Sequence, residues 1–420
     1  MANLTIERLE ALVGGEGVAL RVRQRLQPAG GVGDKVFPPT YSTGERTLKY
    51  VIEKRRVDGQ DVDCVLLDSV ASQANRMEEA LLDAWERKAL DFPVLSVDFS
   101  AEPALADIGS ITSLQAPHRI ADAILRDATD ASGKVLFRDT PEGKAFTDAS
   151  TRNATAVLAL CPTALVFGVW DSTGPKGGLG AKFQRALSSE IVGVCARDGA
   201  KVGSRIDPLA IQANVDVFHR ASDPNDWTID PAEAQKDAKG KPIPFTRGKG
   251  EGKGKPSAIN HSNVAPTVDR WAGGVTLDYA EQTSVLSLPA LRRLRFRTDL
   301  AGQPLPDREA AELAARTALA ALAVAAIVRQ REVGYDLRSR CLLVPEGPLR
   351  LEIVRPDGQV EEASVSVAEA DALVRAANER LARVGLGWKR EPLALKAAPK
   401  LLALVKRSRE LAAADAGADA

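Results

Sequence analysis

The stretch Val18–Leu26 constrains the fold more than any other part of this chain. Val18, Leu20, Val22 and Leu26 fall on one side of a strand of period two, and Arg21, Arg23 and Arg25 fall on the other. Such a strand is half-buried, with one face in a core and the other cationic. Guanidinium groups contact phosphates bidentately and stack on bases, so three of them in a row form a candidate nucleic-acid strip. An edge strand protected by charge carries the same pattern.

The rest of the chain sets the context for that strand. Its 420 residues exceed the usual ~100 to 200 of one domain, so one elaborated domain or two smaller ones are allowed. Hydrophobic residues at 45% and charged residues at 27% are ordinary for a soluble globular protein and exclude a wholly disordered one. With 56 basic and 56 acidic residues the whole molecule has no field that would attract a polyanion, so any nucleic-acid surface has to be local. Cys64, Cys161, Cys195 and Cys341 are scattered without paired spacing, which argues against a zinc site or a disulfide framework and suits a reducing cytoplasm. Met1–Leu4 do not begin a basic segment followed by an apolar one, so secretion is not expected. The apolar run between Arg316 and Arg329 is shorter than the ~18 residues of a membrane span and reads as a buried, alanine-rich helix.

A second strand, Val62–Leu67, leads to Ser69 or Ser72 as a helix cap, and then to a helix on which Met77, Leu81 and Trp85 recur every four residues. Asn75 and Arg76 fall in its first turns, and Glu78 and Glu79 near the same end, where carboxylates favour the helix dipole. Further strands are expected at Ile191–Cys195 and Gly274–Tyr279, and a hairpin turn at Asp357-Gly358. A helix is expected at Ala368–Arg383 and a disordered tail from Ala412. Strands and helices interspersed with long loops, without a regular strand-helix repeat, place the chain in the α+β class.

Three segments lack periodicity. Ala29–Gly44, which contains Lys35, is a glycine- and proline-rich excursion. Asp171–Phe183, reading DSTGPKGGLGAKF, could bring backbone N–H groups to a phosphate, and Lys176, Lys182 and Arg185 favour that; a plain flexible connection is the alternative. It is not a Walker A loop, because Gly180 is followed by Ala181, Lys182 and Phe183. Within Ile206–Ser262, the part Lys236–Lys255 holds seven basic residues against two acidic ones, among alternating glycines. It reads either as a segment that orders on a polyanion or as a solvated linker. Catalytic constellations are poor: His118, His219 and His261 have no metal-binding spacing, and Asp61 with Asp63 are as well explained by exposed acids at a strand start.

Several stretches together resemble one family: RLQPAGGVGDKVFPPTY at Arg25–Tyr41, LLDSVASQANRMEEAL at Leu66–Leu81, FGVWDSTGPKGGLGAKFQRALSSEIVG at Phe167–Gly193, SRIDPL at Ser204–Leu209 and PSAINHSNVAP at Pro256–Pro266. They are similar to the RAMP-superfamily backbone protein, the family-seven subunit, of the type I-G (formerly I-U) CRISPR Cascade. The resemblance implies a modified RNA-recognition-motif (ferredoxin-like) palm with long finger and thumb insertions. It divides the chain into a first palm part with fingers (1–203), a basic thumb-like insertion (204–266), the remaining palm with C-terminal helices (267–410) and a tail (411–420). It implies a non-catalytic subunit that oligomerises along CRISPR RNA in antiviral defence, with no cofactor. Its partners would be CRISPR RNA, target DNA through guide pairing, further copies of itself, other Cascade subunits and a recruited helicase-nuclease. Carried onto this chain, the RNA-binding residues are Arg21, Arg23, Arg25, Lys35, Asn75, Arg76, Lys176, Lys182, Arg185, Lys249, Lys253, Lys255 and His261, with Lys236–His261 as the thumb or Asp34–Tyr41 in its place. The competing readings are a RAMP ribonuclease and a glycine-loop nucleotide-binding enzyme.

Overall fold

The computed structural model of the chain describes residues 2–42, 47–177, 180–246, 253–299 and 301–419. They group into two units. One is built from the residues up to Ser42, Lys49–Arg197 and Val275–Leu402; the longest segment of the other is Asp198–Gly274.

In the first unit, β1 (Ala19–Pro28), β2 (Ile52–Val57), β3 (Gln60–Asp68), β4 (Leu187–Val194), β5 (Tyr279–Ser287), β6 (Leu342–Pro345), β7 (Leu351–Val354) and β8 (Val360–Ser364) belong to a 10-stranded sheet. From β8 the order runs β7, β1, β5, β4, β3, β2, and every neighbouring pair in that series is antiparallel. One side of β1 is shared, its start pairing with β7 and its end with β6, while the other side pairs along its length with β5. The arginine strand is therefore central, which overturns the edge-strand reading. Leu20, Val22, Gln24, Leu26 and Pro28 make its buried face; Val18 lies just before the strand and is exposed, contrary to its expected place in the core.

Two helices, α1 (Val70–Glu86) and α2 (Arg308–Val333), pack on the apolar side of the sheet, and α3 (Val367–Arg383) packs on α2. α1 packs on β4 and α2, and α2 packs on β5 and α3. Ser69, not Ser72, caps α1, its Oγ accepting from the Ser72 N–H at 3.2 Å. Ala74, Met77, Ala80, Leu81 and Ala84 then form the buried stripe at helical spacing. α2 is long and apolar enough to cross a membrane by length and composition, yet 83% of that stretch is buried inside the protein. Its alanines let neighbouring helices approach closely, as expected for a core helix. A capping box starts α3, with Ser366 and Glu369 satisfying each other's backbone N–H groups. Between sheet and helices the Gln73 Oε1 accepts from Ser189 Oγ (3.0 Å) and Gln282 Nε2 (2.9 Å), and Tyr335 O–H donates to Gln282 Oε1 (2.8 Å). This buried polar chain ties α1 to the two middle strands, where an unpartnered amide would be costly.

A second, four-stranded sheet joins Ser110–Thr112, Leu95–Asp98, Leu393–Ala397 and Ala128–Thr129 in that order. In the other unit, Lys201–Arg205 pairs with Val264–Asp269 and Phe218–His219 with Trp227–Thr228, around buried Val217, Ala234 and Phe245. The region that lacks sequence periodicity is thus organised by short ladders and single bridges such as Arg220 with Ala234 and Lys236 with Pro242. These elements are too short to leave a repeating pattern. Pro399–Asp419 is an α-helix where a disordered tail was expected, in keeping with its alanine, leucine, lysine and arginine content.

Candidate nucleic-acid interface

Arg21, Arg23 and Arg25 project from the sheet face opposite Leu20, Val22 and Leu26, as their alternation requires. Each meets a partner from the neighbouring strands. Arg21 donates from Nε to Glu352 on β7. Arg23 Nη2 donates to both carboxylate oxygens of Glu281 on β5 at 3.0 Å. Arg25 lies over the Tyr279 ring, 4.1 Å from its centroid. Further along the sheet, Arg55 on β2 binds Glu190 on β4 (2.6 and 3.3 Å) and Glu53 (2.6 Å). The Glu281 hydrogen bond raises the Arg23 pKa, the Glu190 hydrogen bond raises that of Arg55, and burial raises the Tyr279 hydroxyl against the opposing charge of Arg25. The face is a lattice of alternating charges, not a bare cationic strip. Because such exposed pairs are worth only ~0 to 1 kcal/mol each, a phosphate can replace a carboxylate on a residue as open as Arg23, which is 54% exposed.

On α1 the two expected contacts differ. Asn75 is exposed. Arg76 is a structural tie: its Nε donates to Asp68 Oδ2 at 3.0 Å, and its guanidinium also reaches the carbonyl oxygens of Asp336 (3.3 Å) and Leu337. Asp68 is fully buried and also accepts from Gln73 Nε2 (2.7 Å) and Arg338. Glu78 is mid-helix and not at the dipole end. It is 1% exposed and gripped bidentately by Arg119 at 2.7 Å on each oxygen, while Arg119 Nη1 donates to the Gly168 carbonyl at 3.0 Å. Burial pushes the Glu78 carboxyl up to about 7 against the pull of Arg119. Arg185 stands beside this pair, its pKa lowered by burial and by the Arg119 charge.

The excursion that holds Lys35 is anchored, with Val36 bridged to Val275 and Phe37 lying beneath the Arg340 guanidinium at 4.3 Å; Lys35 itself is half-buried. The base of the glycine-rich loop is closed, because Val169–Trp170 pairs with Lys182–Phe183. Buried Asp171 holds its base through a bidentate contact with Arg138 at 2.6 and 2.9 Å. The Gly177 and Gly180 N–H groups donate to carbonyls within the loop at 2.9 and 3.0 Å, so those amides are already used and the phosphate cradle loses them. Lys176 binds Asp148 at 2.6 Å, and Lys182 lies 4.7 Å from the centroid of the exposed Trp170 ring.

Residues 20–198 match the family described as CRISPR-associated protein GSU0053. The match supports a CRISPR-associated protein with a role in CRISPR defence. It spans the strand of three arginines, the capped helix, the glycine loop and β4, the segments just described. No curated protein matches the chain.

The remaining expected contacts lie beyond the matched segment. Lys249 is outside the described residues. Lys253 is exposed and has no side-chain partner among the described residues. Lys255 Nζ is held by Asp216 (2.6 Å) and the Asn214 carbonyl (3.2 Å). His261 Nδ1 stands 4.0 Å from Asp207, whose carboxyl is held below the usual range by the Leu209 and Ser262 N–H groups. Asp61 and Asp63 form ion pairs across the β2–β3 hairpin with Arg56 (3.3 Å) and Lys54 (3.1 Å). No group of three or more histidines, cysteines or acids suited to a metal occurs among the described residues.

Sequence reasoning missed the carboxylates that answer the arginines. Glu281 carried a usable signal: Ala280, Gln282, Ser284 and Leu286 alternate with Glu281, Thr283 and Val285, which sets the acid on the face away from the core. The partners Glu190 and Glu352 depend on strand order, which no local pattern reveals.

Proposed function

We propose that this chain is a non-catalytic, RNA-binding backbone subunit of a type I-G CRISPR surveillance complex, repeated along the guide RNA in the cytoplasm. The observation that carries the reading is the position of β1. The strand with three arginines lies at the centre of the sheet, turns that face away from the helices, and falls inside the segment that matches a CRISPR-associated family.

The connectivity supports a ferredoxin-like palm. Taken as β1, α1, β4, β5, α2, β7, the chain has the strand-helix-strand-strand-helix-strand order of the split βαβ motif, and the spatial order β7, β1, β5, β4 is the one that motif produces. The hairpin β2–β3 and the segment Arg87–Ala186 are insertions before β4, and Asp198–Gly274 is an insertion between β4 and β5. In this reading the open face holds the guide backbone, the Asp198–Gly274 unit is the thumb that couples neighbouring copies, and target DNA pairs with the presented guide.

The test is purification with and without nuclease. Carried RNA, long particles, and binding of single-stranded RNA with little sequence preference but strong salt dependence are expected, because phosphate contacts dominate a generic grip. Strict sequence selectivity, or affinity insensitive to salt, would overturn the proposal.

A further inference from the structure

Cations without an internal answer lie away from the arginine lattice. Arg152, Arg293 and Arg297 are exposed, and none has an ion-pair partner among the described residues. Two bonds bring them together: Arg295 N–H donates to the Thr151 carbonyl at 2.9 Å, and Arg297 N–H to Asn153 Oδ1 at 3.2 Å. Arg293 and Arg297 alternate with buried Leu294 and Phe296, so packing anchors the backbone that carries the charges. Beside them is a depression of about 270 Å³ lined by Thr151, Lys182, Gln184 and Arg293. It lies at the end of the central sheet, with Ala186 just before β4 and Ala290 just after β5 both in its wall. Lys182 links it to Trp170, a residue 53% exposed.

This is the equipment a single strand requires: guanidinium forks for successive phosphates and a flat aromatic ring for a base. We propose that the sheet-end depression is a second contact for single-stranded nucleic acid, with phosphates on Arg152, Arg293 and Arg297 and a base stacked on Trp170. It rests on the RNA-binding reading above and adds a site to it. A base arriving on Trp170 releases Lys182 towards a phosphate. Where the lattice must give up carboxylates to accept a strand, this patch has none to give up, so it accounts for a larger share of the salt dependence.

The experiment uses the full chain, a short fluorescent RNA, and a DNA of the same sequence. The variant Arg152→Gln/Arg293→Gln/Arg297→Gln should flatten the slope of log Kd against log salt by about 2, at ~0.7 per lost contact. Trp170→Ala should weaken binding about tenfold while leaving the slope unchanged. Photo-crosslinking should label the peptide that holds Trp170. Lys88→Gln, at an exposed lysine just past α1, serves as the control and should change neither quantity. Loss in either nucleic-acid arm supports the site and names the strand it takes. Wild-type protein that binds neither strand overturns the RNA-binding reading itself. Wild-type protein that binds, with an unchanged slope in the triple variant and no crosslink at Trp170, overturns this site alone.

Discussion

Removing the carboxylates of the arginine lattice should strengthen RNA binding and make it more sensitive to salt. The perturbation is Glu281→Gln with Glu352→Gln, which keeps shape and hydrogen-bonding capacity but frees Arg23 and Arg21. Both pairs are partly exposed, with Arg23 at 54% and Arg21 at 34%, so breaking them should cost ~0 to 1 kcal/mol each and leave the protein folded. Two freed guanidinium groups add two phosphate contacts, each steepening the slope of log Kd against log salt by about 0.7 on a single strand. Between about 50 and 200 mM salt the variant should therefore lose about sevenfold more affinity than the wild type loses, starting from tighter binding at the low end. Fluorescence anisotropy across that salt series reads both quantities, and urea unfolding confirms that the fold persists. A folded variant with the wild-type slope and affinity would show that RNA never reaches this face.

Three further outcomes are expected. Replacing Arg119 by methionine leaves Glu78 buried without its partner, at a cost of about 3 to 5 kcal/mol. Burial already raises this carboxyl above its unfolded value, so its ionisation opposes folding and the penalty fades as protons bind. The deficit of the variant should shrink from about pH 8 to about pH 5 in urea melts, and a deficit independent of pH would refute the assignment. Purified protein should show no nuclease activity with any divalent metal, and RNA cleavage abolished by Asp61→Asn or Asp63→Asn would restore the ribonuclease reading. Deleting Lys239–Lys255 should reduce cooperative assembly on guide RNA more than binding of one short RNA. Normal long filaments in electron microscopy of that variant would move the thumb to Asp34–Tyr41.

Local pattern determined a good deal of this protein. Period two in Leu20–Leu26 is sufficient to separate a buried from a cationic face, because adjacent side chains on a strand must point apart, and it failed only at Val18, which lies before the strand. The fourfold spacing of Met77 and Leu81 placed α1, and the alanine run between Arg316 and Arg329 announced a buried helix, since both depend only on neighbours along the chain. Asp357-Gly358 marked its turn for the same reason, Gly358 taking φ of 86°. What those features do was decided by contacts distant in sequence. Arg21 meets Glu352 and Arg23 meets Glu281 only because β1 lies between β7 and β5, and that strand order turns a cationic strip into a balanced lattice. Arg76, which resembles a surface contact in sequence, is held to buried Asp68 and to carbonyls more than 250 residues away. Glu78 resembled a helix-dipole acid until Arg119 closed on it. Charge can be read from a sequence, but whether a charge is answered depends on which strands and loops become neighbours, and only the folded chain sets those distances.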